Sequence, residues 1–531
     1  MSFVFVNLLV FVAITFLFYF LIPSKYQWVV LLVASIIFYA LMEFRALYYI
    51  VFTICSIFFC GKYIQSRHTV QANLFAGKDK EWLSQNRKQY TEQFDRQRKL
   101  ALAIGLFSNF GILFALKYLN FVMELLNSLV SGFWQVSFPG INWLLPIGLS
   151  FYTFMATGYL IDVYRKKYPA EQNIAKLALF VSFFPQLVQG PIGRYDHLAP
   201  QLFKPHKFEY QQFTDGLKLM GWGFVKKLLI ADILAPFVNV IIHDQAAQGS
   251  TVAVGIIMSM IRLYADFSGG IDVSRGVAQC MGIEMAENFR RPYFATSMSN
   301  YWRRWHITLG AWMKDYLLYS ITFSRGFFKL QKFLRTRLGN YAGKIIPTCL
   351  CMFFTFFVVG IWHGGNTKYL FFGFYNGTLI ALGILAQPLT DRLCAKITGF
   401  TPENKLRHVL AICRTLVLVF IGRCIATADD FSHGYSLLKT IVSDLFSPST
   451  QLLLRNNLKS YGIGLQTIVL LIPPLMIFLF ISLLQENGVR IRHSFAKKPI
   501  VLRWAVYYFA IFYILLFGSL TQVGGFIYAQ F

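Results

Sequence analysis

The chain carries few charged residues for its length. Asp, Glu, Lys and Arg make up only 14% of its 531 residues, whereas a soluble globular protein has about 25%. A single water-soluble core does not grow to this size with so little polar cover, so an ordinary soluble enzyme is excluded. Hydrophobic residues supply 56% of the chain, which predicts an integral membrane protein.

The chain also lacks the short motifs of several enzyme and metal-binding classes. None of its eight cysteines forms a CxxC pair, so neither a zinc site nor a disulfide framework is predicted. No Gly-x-Ser-x-Gly elbow, P-loop or dinucleotide-binding fingerprint occurs in a strand–helix context. We therefore expect no metal and no tightly bound cofactor, and the candidate chemistry rests on histidine.

Acidic residues are scarce: 24 stand against 50 basic residues, which gives a net charge of +26. In a soluble protein this excess would indicate a nucleic-acid partner. In a membrane protein, Lys and Arg gather in cytoplasmic loops and beside anionic lipid headgroups. We interpret the charge in this second way and expect membrane lipid, with no nucleic acid, as a partner.

Apolar runs recur along the whole chain. A spanning helix needs about 20 apolar residues, and several runs are shorter or are interrupted by Gly and Pro, which is typical of re-entrant segments. We predict an all-α, polytopic membrane protein with 10 to 13 membrane-embedded helices, some tilted or re-entrant, in a single domain over residues 1–531. The candidate segments are 3–22, 27–42, 47–62, 101–120, 144–161, 174–190, 216–242, 252–267, 345–362, 369–386, 408–427, 464–484 and 500–523.

The distribution of basic residues predicts the orientation. Residues 62–99 contain nine Lys or Arg against four acidic residues, so 63–100 is predicted to be a cytoplasmic basic loop, either a surface helix or a loose arm. Counting spans from this loop places the N-terminus outside and puts the basic run 165–167 in the cytoplasm as well. The first span carries no charge and no cleavage site, so we expect it to be retained rather than removed as a signal peptide. Residues 440–531 are predicted to be a C-terminal extension with the last two spans.

Two histidines, His306 and His363, each follow a tryptophan in apolar surroundings. An ionisable side chain at membrane depth costs about 3 kcal/mol, which makes it a candidate functional residue, and imidazole exchanges protons near neutral pH. The segment 345–366 is predicted to be catalytic, because His363 ends an apolar run and precedes two glycines that allow close approach of a ligand. A purely structural histidine at a helix end is the open alternative for each, and position alone favours it for His306.

The segment 287–318 mixes charges with aromatics and is predicted to lie at the membrane interface or to line a cavity. Pro292 should end one element, and Ser297 or Ser299 is a suitable N-cap for the next helix. One face of that helix would carry Trp302, His306, Leu309 and Met313.

Three further patterns are open to structural and functional interpretations. Arg262 and Asp266 lie four residues apart and are predicted to form an ion pair that fixes helix packing. The stretch 183–194 contains two prolines and two glycines, which predicts a broken or re-entrant helix beside a cavity. Arg414 and Arg423 interrupt an apolar run, where each would either hold an anionic group or extend to the interface.

At these residues the chain resembles the membrane-bound O-acyltransferase (MBOAT) family. It is most similar to the bacterial polysaccharide-modifying branch, which includes alginate O-acetylases and the membrane protein that D-alanylates teichoic acids. The resemblance covers about positions 1–440, with matching stretches in the expected order. These stretches are Leu145-Pro-Ile-Gly-Leu-Ser-Phe-Tyr-Thr-Phe154, Ile161-Asp-Val-Tyr164, Phe184-Pro-Gln-Leu-Val-Gln-Gly-Pro-Ile192, Tyr264-Ala-Asp-Phe-Ser-Gly269, Glu287-Asn-Phe289, Pro292-Tyr293, Trp302-Arg-Arg-Trp-His306, Gly360-Ile-Trp-His-Gly364 and Arg423.

The resemblance implies a multi-pass protein of the bacterial cell membrane, with a ring of helices around a central tunnel. In that tunnel an acyl donor from the cytoplasm would meet an acceptor from outside. His363 matches the near-invariant histidine of the family, and His306 matches its more variable second position. An extracytoplasmic SGNH-hydrolase-like partner and a polysaccharide acceptor are further implied. The residues expected to line or support the tunnel are Trp302, Arg303, Trp305, Asp315, Trp362, Asn366, Asp266, Pro185 and Gln186.

We interpret the chain as an O-acyltransferase with His363 as general base. It would move an acyl group, with acetyl favoured, from a cytoplasmic thioester to a hydroxyl of an extracytoplasmic polysaccharide or a partner protein. Acetyl-CoA is favoured as donor over an acyl-carrier protein. Three alternatives stay open: D-alanyl transfer from a carrier protein to teichoic acid, a non-enzymatic lipid or sugar transporter, and a scaffold in which both histidines are structural.

Overall fold

A computed structural model describes residues 5–130, 139–141, 143–187, 189–398, 404–444 and 458–518. Eight helical stretches in this part of the chain are long and apolar enough to cross a membrane. Many of their large apolar side chains point outward, as for Phe107, which is 79% exposed, and lipid is the solvent that suits such surfaces. The predicted all-α, polytopic membrane class is confirmed. A shorter apolar helix covers residues 7–21, and the expected total of 10 to 13 embedded helices stays a prediction.

The N-terminal part of the bundle consists of five helices. Short turns connect the first four, so each of these helices packs antiparallel to the one before it. The fifth, α5, is buried along nearly its whole length and forms the centre of the largest hydrophobic core. The helices are α1 Phe5–Leu21, α2 Gln27–Glu43, α3 Leu47–Ala76, α4 Lys80–Val130 and α5 Leu149–Tyr164.

The predicted basic loop 63–100 is the continuation of α3 and the start of α4, joined by a turn at 77–79. Apolar and polar contacts together hold these two helices, and the apolar side chains of Ile64 and Phe94 are buried here. Arg98 is only 5% exposed; one of its guanidinium nitrogens lies 3.1 Å from His68 Nδ1, and it also bonds to Gln71. Of the two predicted forms of this segment, the structure has the surface helix and not the loose arm, and its cytoplasmic location stays a prediction.

The middle part contains the predicted break in the segment 174–190. α6 ends at Ser182, Phe183 leaves the helical conformation, and the single turn α7 follows. These residues are buried against the N-terminal helices, where Phe184 N donates to Ser35 Oγ at 3.1 Å. The helices of this part are α6 Ile174–Ser182, α7 Phe184–Leu187, α8 Tyr195–Phe203, α9 Tyr210–Lys226, α10 Asp232–His243 and α11 Gly249–Cys280, with a π-helical turn Lys227–Ala231 between α9 and α10.

The C-terminal part begins with short helices and continues with long ones. Its helices are α12 Met298–Arg304, α13 Ile307–Trp312, α14 Tyr319–Thr322, α15 Arg325–His363, α16 Thr367–Thr398, α17 Lys405–Thr427, α18 Phe431–Asp444, α19 Leu465–Glu486, α20 Ile491–Ala496 and α21 Ile500–Phe517. A π-helical turn Met313–Leu318 precedes α14, and α15 is broken at Gly339, whose φ is 86°. In the predicted extension 440–531, α19 and α21 correspond to the last two expected spans, and residues 445–457 and 519–531 lie outside the described part.

Two basic segments meet at one end of the bundle, which we call the arm end. His68 on α3 lies 3.2 Å from the carbonyl oxygen of Tyr164, directly before the basic run 165–167. At the opposite end, called the far end, Asn366 donates to the carbonyl oxygen of Asp429 at 3.1 Å. The two segments predicted to face the cytoplasm therefore lie on the same side of the protein.

Candidate active site

Close packing of α15 against α16 determines where His363 lies. A Cβ atom at Gly360 would stand 2.5 Å from the carbonyl oxygen of Tyr369 and 2.6 Å from Cα of Gly373. Only glycine permits backbones to approach so closely. His363 is the last residue of α15, one turn beyond this contact, so the crossing point of the two helices fixes its position.

A second contact, from α4, holds the end of α15. The carbonyl oxygen of Trp362 accepts hydrogen bonds from Lys117 Nζ at 2.7 Å and from Tyr118 Oη at 3.1 Å. The same ammonium lies 5.4 Å from the centre of a Trp362 ring, within the range of a cation–π interaction. Lys117 was not predicted as a site residue, although it is the one charged residue in the apolar run 101–123.

His363 lines an internal cavity of about 270 Å³ toward the far end. The side chain is buried, with 8% of the residue exposed. Its ring meets Phe372 edge-on at 5.2 Å and stacks on Tyr369 at 6.0 Å, measured between ring centres. A neutral imidazole at this position has a ring nitrogen that can accept a proton. The other lining residues include Tyr293, Tyr301, Trp302, Trp305, Lys368, Asn376 and Arg423.

His306 is buried in the same interior, with 2% of the residue exposed. The predicted N-cap Ser297 is confirmed, because its side chain accepts from Asn300 N. The single amphipathic helix predicted beyond it is wrong. α12 ends at Arg304, and His306 takes a left-handed conformation with φ 47° before α13 begins. An isolated β-bridge between Phe289 and Trp305 replaces helical hydrogen bonding at the break.

One indole ring joins the two histidines. The ring of Trp362 lies 4.7 Å from that of His363 and 6.0 Å from that of His306. On its other sides His306 meets Phe267 edge-on at 4.9 Å and Phe151 at 6.3 Å. The structure therefore brings the two predicted catalytic residues, which are distant in sequence, against a common aromatic partner.

Three of the predicted supporting residues lie at the site. Trp302 lines the cavity, and its Nε1 donates to Asn376 Oδ1 at 3.1 Å. Trp305 lines the same cavity, and Trp362 is the indole between the histidines. The polar partner Asn376 was missed in the sequence, where it occurs in an otherwise ordinary apolar helix.

Other predicted supporting residues lie away from the cavity. Asn366 caps the start of α16 by accepting from Lys368 N at 3.0 Å and belongs to the far-end surface. Asp315 binds Arg194 at 2.8 Å near the arm end. Arg303 is exposed. Pro185 and Gln186 are buried in α7 among the N-terminal helices. Sequence neighbours of His306 and His363 were expected to share their site, but the helix breaks turn them to other surfaces.

Asp266 has a different partner from the one predicted. Lys227, in the π-helical turn, binds Asp266 at 2.7 Å and Asp232 at 2.8 Å. Arg262 instead donates to Asn239 at 3.2 Å. The buried triad anchors α11 one residue from Phe267, which packs on His306, so Asp266 supports the site indirectly. Arg423 was expected either to hold an anionic group or to extend to the interface. It lines the cavity and donates to Ser259 at 2.8 Å.

A second cavity of about 320 Å³, here called the basic recess, opens beside α9, α11 and the C-terminal helices. Burial opposes ionisation of Glu287, but the hydrogen bond from Arg290 and the charges of Arg275 and Arg291 hold the pKa of Glu287 below its ordinary value. Positive charge nevertheless prevails. The recess is lined by six basic residues, Lys218, Lys226, Arg275, Arg290, Arg291 and Arg492, and by the acidic residues Asp272 and Glu287.

The basic recess lies toward the arm end. Gln27, at the start of α2, exchanges hydrogen bonds with the backbone of His206, and Gln201 does the same with Glu284, just after α11. These contacts put the C-terminal end of α11, and Arg275 near it, at the arm end. The recess and the His363 cavity therefore lie toward opposite ends of the bundle.

Three aromatic rings, Tyr264, Tyr293 and Trp305, stand between the two cavities, and we call them the aromatic partition. Tyr264 lines the recess, whereas Tyr293 and Trp305 line the His363 cavity. Tyr264 lies 5.3 Å from Tyr293 and 6.1 Å from Trp305, measured between ring centres.

The fold and the site together define a polytopic membrane protein with a buried histidine centre and cavities toward both ends. No group of His, Cys, Asp or Glu within the described ranges is arranged to hold a metal ion. The family model for MBOAT, the membrane-bound O-acyltransferase family, matches residues 74–338. The chain belongs to this family, whose members are acyltransferases, and with bacterial relatives and eight spanning-length helices it is a multi-pass bacterial membrane protein.

Curated relatives act on several surface polymers. A probable alginate O-acetylase, AlgI of Pseudomonas aeruginosa, is 34% identical over 349 residues, which cover 64% of this chain and 60% of the relative. A peptidoglycan O-acetyltransferase of Helicobacter pylori is 28% identical over 56% of this chain and 57% of the relative. A teichoic acid D-alanyltransferase of Bacillus subtilis is 24% identical over 57% and 73%. The chain thus spans about three fifths of the length of the alginate O-acetylase it matches.

Proposed function

We propose that this chain is an O-acyltransferase that moves an acetyl group from acetyl-CoA, at the arm end, to a hydroxyl group at the far end. The acceptor is a polysaccharide or an extracytoplasmic SGNH-hydrolase-like partner that passes the group on. The observation that carries the proposal is the position of His363. It is a buried imidazole on the wall of a cavity rich in aromatic side chains, at the end of a helix held by both α4 and α16.

His363 acts as the general base in this proposal. A neutral ring nitrogen takes the proton of the acceptor hydroxyl while the oxygen attacks the thioester carbonyl. The C–S bond of the tetrahedral intermediate then breaks, and the imidazolium returns its proton to the leaving thiolate. The products are an ester and a free thiol. The aromatic walls exclude water, which would otherwise hydrolyse the thioester.

The basic recess supports an anionic donor. Six basic side chains and two acidic ones line it, and a cavity with an excess of one sign of charge concentrates ligands of the other sign. Acetyl-CoA carries several phosphate charges and a long pantetheine arm. With its phosphates in the recess, that arm would pass the aromatic partition and present the thioester to His363.

Contacts at the arm end support a cytoplasmic location for the recess. The two basic segments that favour the cytoplasm adjoin each other there, through the contact of His68 with Tyr164, and positively charged segments remain on the cytoplasmic side. The N-terminus is then outside, and the His363 cavity opens toward the extracytoplasmic acceptor. This arrangement makes the transfer reaction cross the membrane without transport of the whole donor.

The test uses the full chain in proteoliposomes with acetyl-labelled CoA supplied at the arm end. The acceptor is an alginate oligosaccharide, with and without an SGNH-hydrolase-like protein. We expect the unmodified chain to release one free thiol for each acetyl group transferred to the acceptor. His363→Gln should give neither free thiol nor labelled acceptor. His197→Gln, which changes an exposed histidine on α8, should give both as the unmodified chain does. Absence of thiol release and of labelled acceptor from the unmodified chain under both conditions would refute the proposal.

The same preparation separates the alternative functions. Teichoic-acid D-alanylation predicts that label is taken from a D-alanyl carrier protein and not from acetyl-CoA. A transporter predicts movement of a lipid or sugar across the bilayer with the thioester intact. A scaffold predicts that His363→Gln lowers stability and leaves transfer by its complex unchanged.

A further inference from the structure

Asn288 contacts His306 from the connector between α11 and α12. Its amide oxygen Oδ1 lies 3.3 Å from His306 Nδ1, and it accepts hydrogen bonds from Thr308 N and Thr308 Oγ1, each at 3.0 Å. Asn288 is only 1% exposed. In the sequence, Asn288 falls within the family-like stretch Glu287-Asn-Phe289, and no role was predicted for it.

The orientation of the Asn288 amide follows from its neighbours. A backbone N–H can only donate, so the atom that faces Thr308 N must be the amide oxygen. The hydroxyl of Thr308 accepts from Ile192 N at 3.0 Å, and its own hydrogen is therefore directed to Asn288. If the amide were reversed, its NH₂ group would face the N–H and O–H groups of Thr308, which are also donors, and neither hydrogen bond could form.

This orientation determines the hydrogen on His306. An oxygen acceptor 3.3 Å from Nδ1 requires that Nδ1 carry the hydrogen. The ring also lies against Phe151 and Phe267, where burial disfavours a second proton. A neutral imidazole with hydrogen on Nδ1 has its lone pair on Nε2.

The backbone keeps this pairing in register. Ile307 N donates to the carbonyl oxygen of Asn288 at 3.0 Å, and Arg290 N donates to the carbonyl oxygen of Arg304 at 2.9 Å. These two bonds straddle the Phe289–Trp305 bridge. They hold His306 in the left-handed conformation, which is strained for a residue other than glycine.

We propose that Asn288 is a positioning residue that holds His306 as the tautomer with hydrogen on Nδ1. The effect of this tautomer on the reaction rests on the proposed function. The neutral Nε2 atom accepts a hydrogen bond from the acceptor hydroxyl and orients it for attack. It has no hydrogen to donate to the developing oxyanion, so orientation is the role of His306 and oxyanion stabilisation falls to other groups.

Nitrogen NMR of the full chain in proteoliposomes, labelled with ¹⁵N in its histidine rings, tests the tautomer without any assay of activity. The signals of His306 are those absent from His306→Gln. We expect a neutral ring with hydrogen on Nδ1 at neutral pH. A ring with hydrogen on Nε2, or an imidazolium, overturns the proposal.

Variants of Asn288 test its part in fixing the tautomer. Asn288→Leu removes the acceptor and should give a mixture of tautomers, with acetyl transfer lower by roughly 10- to 100-fold, as for other hydrogen-bond partners that orient a functional imidazole. Asn288→Asp keeps an acceptor oxygen and should retain the Nδ1 hydrogen. The matched control Asn86→Leu, near the start of α4, should change neither the nitrogen signals of His306 nor the rate of acetyl transfer. An unchanged tautomer in folded Asn288→Leu would overturn the proposal, whereas the correct tautomer in a protein without transferase activity would refute only the proposed function.

Discussion

Lys117 on α4 donates to the backbone carbonyl of Trp362 on α15 at 2.7 Å. These residues are 245 positions apart in sequence. The bond fixes the peptide immediately before His363, so the direction of the imidazole depends on a helix that contributes no other part of the proposed reaction.

Replacing Lys117 by methionine should therefore lower transfer more than stability. A hydrogen bond from a charged donor contributes about 1.5–3 kcal/mol, but loss of a buried charge offsets part of this in the folded protein. We expect roughly a 10-fold or greater fall in acetyl transfer and a small change in the midpoint of thermal unfolding in detergent. The control is Lys329→Met, an exposed lysine on α15. Transfer at the unmodified rate would show that the bond does not position His363.

The packing of α15 on α16 gives a second prediction. Gly360→Leu would drive a side chain into backbone atoms of α16, and overpacking of this kind costs about 1–3 kcal/mol. We expect reduced thermal stability together with loss of transfer. Gly383→Leu, on α16, introduces the same side chain where no atom lies within 4 Å, and it should match the unmodified protein. Equal behaviour of the two variants would contradict the close-packing argument.

The ion triad of Lys227, Asp266 and Asp232 gives a prediction about stability alone. Lys227→Met leaves two buried carboxylates without their shared cation, and removal of one partner from a buried pair costs about 3–5 kcal/mol. The midpoint temperature of thermal unfolding in detergent should decrease strongly. Lys314→Met, at an exposed position, supplies the comparison, and a similar midpoint for both variants would argue against the triad as an anchor of α11.

The basic recess gives a prediction about donor binding. The double substitution Lys218→Gln with Arg492→Gln removes two of its cations and should raise the KM for acetyl-CoA by roughly 3- to 10-fold with little change in kcat, most strongly at low salt. Arg337→Gln, exposed on α15, is the control. A decrease in kcat at constant KM would indicate that the recess does not bind the donor.

The sequence predicted the membrane class, the two histidines and the break near Phe183, because burial cost, proton chemistry and proline-glycine content are local properties. It did not predict which residues contact each other across the bundle. The partner of Asp266 was expected four residues away, yet it is Lys227 in a neighbouring turn. A helical ion pair is suggested by spacing, whereas a tertiary pair depends on how helices pack.

The helix expected through His306 shows a different limit. Its composition suits a continuous amphipathic helix, but the connector carrying Asn288 competes for the same backbone groups and forms a β-bridge at Trp305. Contacts made by a distant segment override local preference there. As a result Trp302 and Trp305 reach the cavity together, while Arg303 between them is exposed.

The rate of acetyl transfer in a single turnover, compared between the unmodified chain and His363→Gln, tests the general-base role most directly. Both proteins must be folded in the same bilayer, as judged by thermal unfolding. A general-base role for His363 predicts a decrease of roughly 10²- to 10⁴-fold, which is the usual contribution of general-base catalysis. A rate within about twofold of the unmodified chain, in a folded variant, would contradict it.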